Sequence, residues 1–168
     1  MKIIILIILI QIVLVDFSLS QVIPDSAGFD VLKWNCDEFE LIETLELEDY
    51  QRIRENDSVT VIRNEDEANG VYFKLSYQFV HHHLKEINEY YAIDTLSKNY
   101  RKFIDFIIVE QFKYGEKFGL PEMFIGTLDG AEVNRNVYRN KYLEIQFMNW
   151  DDGGLRMINK IIRLNEGL

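Results

Sequence analysis

Residues 71–79, VYFKLSYQF, alternate apolar and polar side chains over their whole length. Successive side chains of a β-strand point to opposite faces of the sheet, so this alternation predicts a half-buried strand. Its apolar face carries Val71, Phe73, Leu75, Tyr77 and Phe79, and its polar face carries Tyr72, Lys74, Ser76 and Gln78. An apolar strand face has to be buried against a second layer, which the rest of the chain must supply.

The residues just before this stretch supply a partner strand. Residues 58–63 are predicted to pair with residues 71–79 as a hairpin, with residues 64–70 as the connection. Asn69 and Gly70 end that connection, and both tolerate the positive φ that a tight hairpin turn requires. The sequence therefore predicts an antiparallel pair at this point.

The middle of the chain changes to helical spacing. The apolar positions Val80, Leu84, Ile87 and Tyr91 fit one face of a first helix, and Leu96, Tyr100, Phe103, Ile107 and Ile108 fit one face of a second. Asp94 or Thr95 is the predicted N-cap of the second helix. Gly115 and Gly119, followed by Pro121, are predicted to end it.

After Pro121 the chain returns to short alternating runs. Strands are predicted over residues 123–128, 131–138, 142–148 and 155–164, with a helix as the alternative for the last of them. Asp129-Gly130 is a two-residue hairpin signal, and Asp151-Asp152-Gly153-Gly154 is a second predicted turn.

This order of elements predicts an α+β fold. About six to seven antiparallel strands in two groups are expected to curl around two central helices. The predicted domain covers residues 21–168, a length sufficient for one hydrophobic core. No internal repeat, low-complexity stretch or linker divides it.

The first twenty residues predict export. Lys2 provides a positive charge, residues 3–15 are apolar except for Gln11, and residues 18–20 have the small-x-small pattern of a signal-peptidase site. The apolar run is shorter than the ~20 residues that a membrane helix needs. We therefore expect a cleaved signal peptide over residues 1–20, with an uncleaved anchor as the alternative, and a secreted product with no stable membrane insertion after cleavage.

Two residues matter because of this expected export. Asn56 begins Asn56-Asp57-Ser58, the only glycosylation sequon in the chain, and is predicted to carry a glycan. Cys36 is the only cysteine, which excludes an internal disulfide. A buried small hydrophobe, an intermolecular disulfide that links a dimer and a reactive thiol remain as its alternatives. No cysteine-protease signature surrounds Cys36, so a catalytic thiol is disfavoured.

Most of the net charge of −10 lies in one segment. Residues 37–67 contain twelve acidic and three basic side chains and so carry −9. Nucleic-acid binding is disfavoured, because a phosphate backbone requires a basic surface. Residues 38–48 alternate apolar with acidic side chains, which predicts an amphipathic strand, with a short helix as the alternative. Its carboxylates are either a solvated face or a docking surface for a basic protein partner or calcium.

All three histidines stand together at residues 81–83. On the first predicted helix His82 would lie one turn before Glu86, a spacing that can hold zinc if the fold supplies further ligands. There is no HExxH pattern, and no histidine outside residues 81–83 could complete such a site. His82 and Glu86 are therefore weak metal candidates, and no cofactor is predicted.

No catalytic motif is present in the chain. There is no nucleophile elbow, no phosphate-binding glycine loop and no dinucleotide fingerprint. The sequence favours a secreted, non-enzymatic binding protein that carries a small apolar ligand between sheet and helix. An acidic interaction module for a basic extracellular partner is the first alternative, and a secreted hydrolase that uses carboxylates is the second.

Overall fold

A computed structural model describes residues 36–128, 130–139 and 143–164. These residues form one antiparallel sheet of eight strands and two helices, which agrees with the predicted α+β class at that level. The predicted signal peptide, residues 1–20, lies outside the described residues. In chain order the elements are α1 (Glu38–Thr44), β1 (Gln51–Arg54), β2 (Val59–Ala68), β3 (Val71–Val80), β4 (His83–Asp94), α2 (Tyr100–Phe118), β5 (Glu122–Leu128), β6 (Ala131–Arg139), β7 (Leu143–Asp152) and β8 (Leu155–Leu164).

The strand order in the sheet is β1-β2-β3-β4-β8-β7-β6-β5, and every neighbouring pair is antiparallel. Each half is therefore a meander of four consecutive strands. β4 and β8 meet at the centre, where Glu89 lies opposite Lys160. α2 follows β4 and leads to β5 at the far edge.

α2 packs against one face of the sheet, called here the helix face. Its buried residues Phe103, Ile107, Glu110 and Tyr114 recur every three to four positions and so form one stripe. The Phe103 ring lies 5.6 Å from the Tyr91 ring on β4, and the Tyr114 ring lies 5.6 Å from the Phe147 ring on β7. α2 therefore covers the central strands, and the opposite side is called the open face.

The strand predicted over residues 38–48 is wrong, because residues Glu38–Thr44 form α1. Asp37 is the N-cap, and its Oδ1 accepts a hydrogen bond from the Glu40 backbone N–H at 2.9 Å. Glu38 and Glu40 stand in the first turn, where negative charge stabilises a helix. The short-helix alternative is therefore confirmed.

The first of the two predicted central helices is also wrong, because His83–Asp94 form β4. His81 and His82 have φ values of 50° and 68° and turn the chain from β3 into β4. The pairing register between β3 and β4 shifts at Gln78/Phe79. As a result Leu84 and Ile87 are both buried, although residues three apart in a regular strand face opposite sides of the sheet. This irregularity gave a strand the apolar spacing of a helix.

The other predicted elements are confirmed with changed boundaries, except the Asp129-Gly130 turn, because Asp129 lies outside the described residues. The hairpin turn is Asn69-Gly70 alone, with φ values of 57° and 74°, because β2 continues to Ala68. α2 begins after Asn99 rather than at Asp94 or Thr95, and it ends at Gly119. Residues 155–164 form a strand, as the first alternative predicted.

Candidate functional site

Three charged side chains meet between the sheet and α2. Lys160 on β8 is fully buried, and its Nζ lies 2.6 Å from Glu89 Oε2 on β4 and 2.6 Å from Glu110 Oε1 on α2. Glu89 and Glu110 are only 2% and 4% exposed. One ammonium group between two carboxylates gives this buried cluster a formal charge of −1.

The cluster shifts the pKa values of Glu89 and Lys160. Burial raises the pKa of Glu89 to about 6, with Lys160 opposing the shift and Glu110 adding to it. Burial alone would lower the pKa of Lys160, but the charges of Glu89 and Glu110 outweigh it and raise that pKa. The Tyr91 hydroxyl donates a hydrogen bond to Glu89 Oε2 at 2.8 Å. Glu89 therefore changes charge closer to neutral pH than a glutamate in water does.

Sequence reasoning missed this cluster, although it left a signal. Glu89 stands between Ile87 and Tyr91 on the buried face of β4, and Lys160 stands between Ile158 and Ile162 on β8. A charged residue in an apolar alternation is unusual, since charged side chains are rarely buried without a partner. The cluster also lies at the sheet–helix interface, where the sequence predicted room for an apolar ligand.

A second group of side chains lies on the open face. Arg63 is opposite Ser76 and Ser76 is opposite Asn88, which forms one row across β2, β3 and β4. The neighbouring row runs from Lys74 through Tyr90 to Asn159, across β3, β4 and β8. These rows line a concavity of about 230 Å³, whose walls are formed by Glu55, Val61, Arg63, Lys74, Ser76, Gln78, Asn88, Tyr90 and Asn159.

Two polar atoms in the wall of this concavity lack a hydrogen-bond partner within the protein. They are the buried Nε of Arg63, a donor, and the buried Oδ1 of Asn159, an acceptor. The closest ion pair of Arg63 joins its Nε to Glu65 Oε1 at 3.9 Å, which is too long for a hydrogen bond. Leaving such a group unsatisfied costs about 1–3 kcal/mol, so both atoms are open to a ligand or to water.

An aromatic row borders the same concavity. The Tyr72 and Tyr90 rings are 6.1 Å apart, and the Tyr90 and Trp150 rings are 6.3 Å apart. Lys74 Nζ lies 5.2 Å from the centre of the Tyr90 ring, within the range of a cation–π contact. The open face thus combines amide, hydroxyl, cationic and aromatic groups, and Glu55 is the only carboxylate among the lining residues.

The acidic segment forms a separate concavity of about 410 Å³. Its lining consists of Glu46, Leu47, Glu48 and Asp49 after α1, together with Asn64, Glu65 and Asp66 on β2. The fold thereby brings together acids from two parts of the segment that the sequence singled out.

The structure does not arrange the weak metal candidates on one helix. His82 lies in the β3–β4 turn, with its Nδ1 4.0 Å from Glu38 Oε1. Glu86 lies on β4, where its Oε2 is 3.5 Å from Arg163 Nε. Among the described residues no group of three or more His, Cys, Asp or Glu side chains could hold a metal ion.

Cys36 and Asn56 have contrasting environments. Cys36 is 3% exposed, and burial, followed by the charges of Glu40 and Asp37, raises its pKa to about 11. Thiolate is therefore scarce at neutral pH, which disfavours the reactive-thiol alternative. Asn56 is exposed, and its Oδ1 accepts backbone hydrogen bonds from Ser58 and Val59 at 2.8 and 3.0 Å. Glycosylation of Asn56 and a dimer linked through Cys36 stay predictions.

Function has to be argued from these clusters, since a fold alone does not determine activity. Neither helix in the described part of the chain is long and apolar enough to cross a membrane. Comparison with known proteins found no matching family model, no matching curated protein and no matching solved structure.

Proposed function

We propose that this chain is a secreted, non-enzymatic binding protein whose ligand occupies the concavity on the open face. Secretion is proposed from residues 1–20 and remains a prediction. The observation that carries the binding proposal is the pair of buried, unpartnered polar atoms, Arg63 Nε and Asn159 Oδ1, in the wall of one concavity. Few, well-placed polar groups in a concave site are typical of ligand recognition.

The apolar carrier predicted from the sequence is a less favoured form of this proposal. Its cargo would lie between sheet and helix, where Glu89, Lys160 and Glu110 are now known to pack. An apolar molecule there would have to separate ion-paired groups that are costly to bury alone. A carboxylate hydrolase acting in the open-face concavity is less favoured as well, because glycosidases use a pair of acids and this concavity contains Glu55 alone.

A saturation-transfer NMR screen with two sets of molecules tests where the ligand binds. One set contains sugars, sugar acids, amino acids and dicarboxylates, and the other contains fatty acids of graded length. We expect transfer to at least one polar molecule, and we expect Ser76→Trp to abolish it because the indole fills the concavity. Thr127→Trp is the matched control, since it adds the same group at an exposed position on β5.

Each outcome of the screen separates the hypotheses. Transfer to polar molecules that is lost only in Ser76→Trp supports the open-face site. Transfer to fatty acids that survives Ser76→Trp would instead favour a carrier site between sheet and helix. If no molecule receives transfer from the unmodified protein, the open-face proposal is wrong.

A second candidate function is binding of a basic partner at the acidic concavity. The observation that favours it is the convergence of the loop acids Glu46, Glu48 and Asp49 with Glu65 and Asp66 on β2. Opposite charge across an interface accelerates and orients association and is screened by salt.

A fluorescent octalysine peptide tests this second function. We expect its affinity to fall at least about ten-fold when salt rises from about 20 mM to about 500 mM. Replacing Glu46, Glu48 and Asp49 by their amides should weaken binding more than a control variant in which three exposed acids outside this concavity, Asp105, Glu116 and Glu132, are replaced by their amides. If both changes weaken peptide binding equally, the peptide is attracted by the net charge of the protein alone. That result would contradict a binding site at the acidic concavity.

A further inference from the structure

The open-face concavity has a charge that the rest of the protein does not share. The chain has a net charge of −10, yet Arg63 and Lys74 stand together in this wall. Within the described residues no carboxylate forms an ion pair with Lys74, whose ammonium group instead lies near the Tyr90 ring. Glu65 lies opposite Lys74 on β2 and Glu55 is in the same wall, but neither forms a close ion pair with the Lys74 ammonium group, which stays available to an anionic ligand.

The neighbouring groups specify more than an anion. The buried Arg63 Nε lacks an acceptor, and a planar guanidinium matches the geometry of a carboxylate. The buried Asn159 Oδ1 lacks a donor within the protein, so a ligand group that reaches it has to offer an N–H or O–H. The backbones of the two residues lie on β2 and β8, three strand spacings or about 14 Å apart, and the side chains of Arg63 and Asn159 take up part of this span.

The floor between these ends is suited to hydroxyl groups. Ser76, Gln78 and Asn88 each contribute groups that both donate and accept hydrogen bonds, as neighbouring hydroxyls of a sugar do. The Tyr90 ring adds a flat apolar wall against which the C–H face of a sugar ring can pack. A plain dicarboxylate would leave the acceptor at Asn159 unsatisfied.

We infer that the open-face concavity binds a hydroxyl-rich carboxylate of the sugar-acid class. The carboxylate lies against Arg63 and Lys74, and the hydroxyls extend across Ser76 and Asn88 towards Asn159. This inference rests on the proposed function, since it names the ligand class of the same site. It makes both charge and hydroxylation necessary for binding.

Titration of the ¹⁵N-labelled protein with D-glucuronate, D-glucose and acetate tests the inference. We expect glucuronate to shift the side-chain amide signals of Asn88 and Asn159, and to bind about ten-fold more tightly than glucose or acetate. Lys74→Gln should reduce the preference for glucuronate over glucose to about three-fold or less. Lys113→Gln, which removes an exposed cation from α2, should leave that preference unchanged.

The outcomes distinguish this inference from the proposed function. If glucose binds as tightly as glucuronate, or if acetate does, the sugar-acid class is wrong although the concavity still binds a ligand. If none of the three probes binds while the screen finds another polar molecule, the inference fails and the proposed function stands. If neither experiment detects binding, both are overturned.

Discussion

Replacing Lys160 with methionine should lower the free energy of unfolding by about 3–5 kcal/mol at neutral pH. The ammonium group of Lys160 lies 2.6 Å from both Glu89 and Glu110, and all three side chains are buried. Methionine has a similar length but no charge, so two carboxylates would be left facing each other in the core. Chemical denaturation of the single variant and the unmodified protein measures the difference.

Two further variants separate lost pairing from lost packing. Lys113→Met makes the same change at an exposed position of α2 and should alter the free energy of unfolding by less than about 0.5 kcal/mol. Combining Lys160→Met with Glu110→Leu and Glu89→Gln removes all three charges and keeps an acceptor for the Tyr91 hydroxyl. The triple variant should recover most of the lost stability, because an apolar replacement of a buried ion cluster is often neutral or stabilising. A single variant as stable as the unmodified protein would contradict the buried cluster.

The sequence predicted elements correctly where local pattern and tertiary packing agree. The alternation of residues 71–79 and the turn chemistry of Asn69-Gly70 are local signals, and both correspond to the β2–β3 hairpin. The apolar stripe of α2 is also a local signal, because its buried residues recur every three to four positions along the sequence. β4 was misassigned because the register shift at Gln78/Phe79 places Leu84 and Ile87 at helical spacing. Such an irregularity depends on the neighbouring strand and cannot be seen in β4 alone.

The candidate sites were harder to predict because they depend on pairing between distant residues. The buried cluster joins Glu89, Glu110 and Lys160, which belong to three different elements. The concavity depends on β4 pairing with β8, which brings Asn159 next to Tyr90. Sequence periodicity identifies the face on which a residue lies, but the neighbour on the next strand follows from the strand order. The polar alternation of residues 71–79 nevertheless contained Lys74 and Ser76, two residues of the proposed site.

Glu89→Gln should remove a pH-dependent part of the stability. In the folded protein burial raises the pKa of Glu89 to about 6, above its value of about 4.3 in an unfolded chain. Below both values the carboxyl is protonated in both states, and the contribution of Glu89 to folding is fully present. As pH rises through about 6 that contribution is lost, because the buried charge is then carried at a cost. Glutamine stays neutral at every pH, so the variant does not lose this contribution to folding as pH rises.

The difference in the free energy of unfolding between Glu89→Gln and the unmodified protein should change with pH. From about pH 4.5 to about pH 7.5 the variant should gain about 1–2 kcal/mol relative to the unmodified protein. Urea unfolding at three pH values measures this, and groups that titrate in both proteins cancel in the difference. The groups that interact with Glu89 are Lys160 on β8, Glu110 on α2, Tyr77 on β3 and Tyr91 on its own strand, and the variant leaves all of them in place.

Glu116→Gln, which makes the same chemical change at an exposed position of α2, is the control for the effect of burial. A stability difference that moves in the opposite direction for Glu89→Gln would mean that attraction to Lys160 outweighs burial and lowers the pKa of Glu89. Because Lys160 is shared with Glu110, the single ammonium cannot fully compensate two buried carboxylates. The predicted sign follows from burial, which raises the pKa of Glu89 more than the shared ammonium lowers it, so Glu89 is a group through which mild acid stabilises the fold.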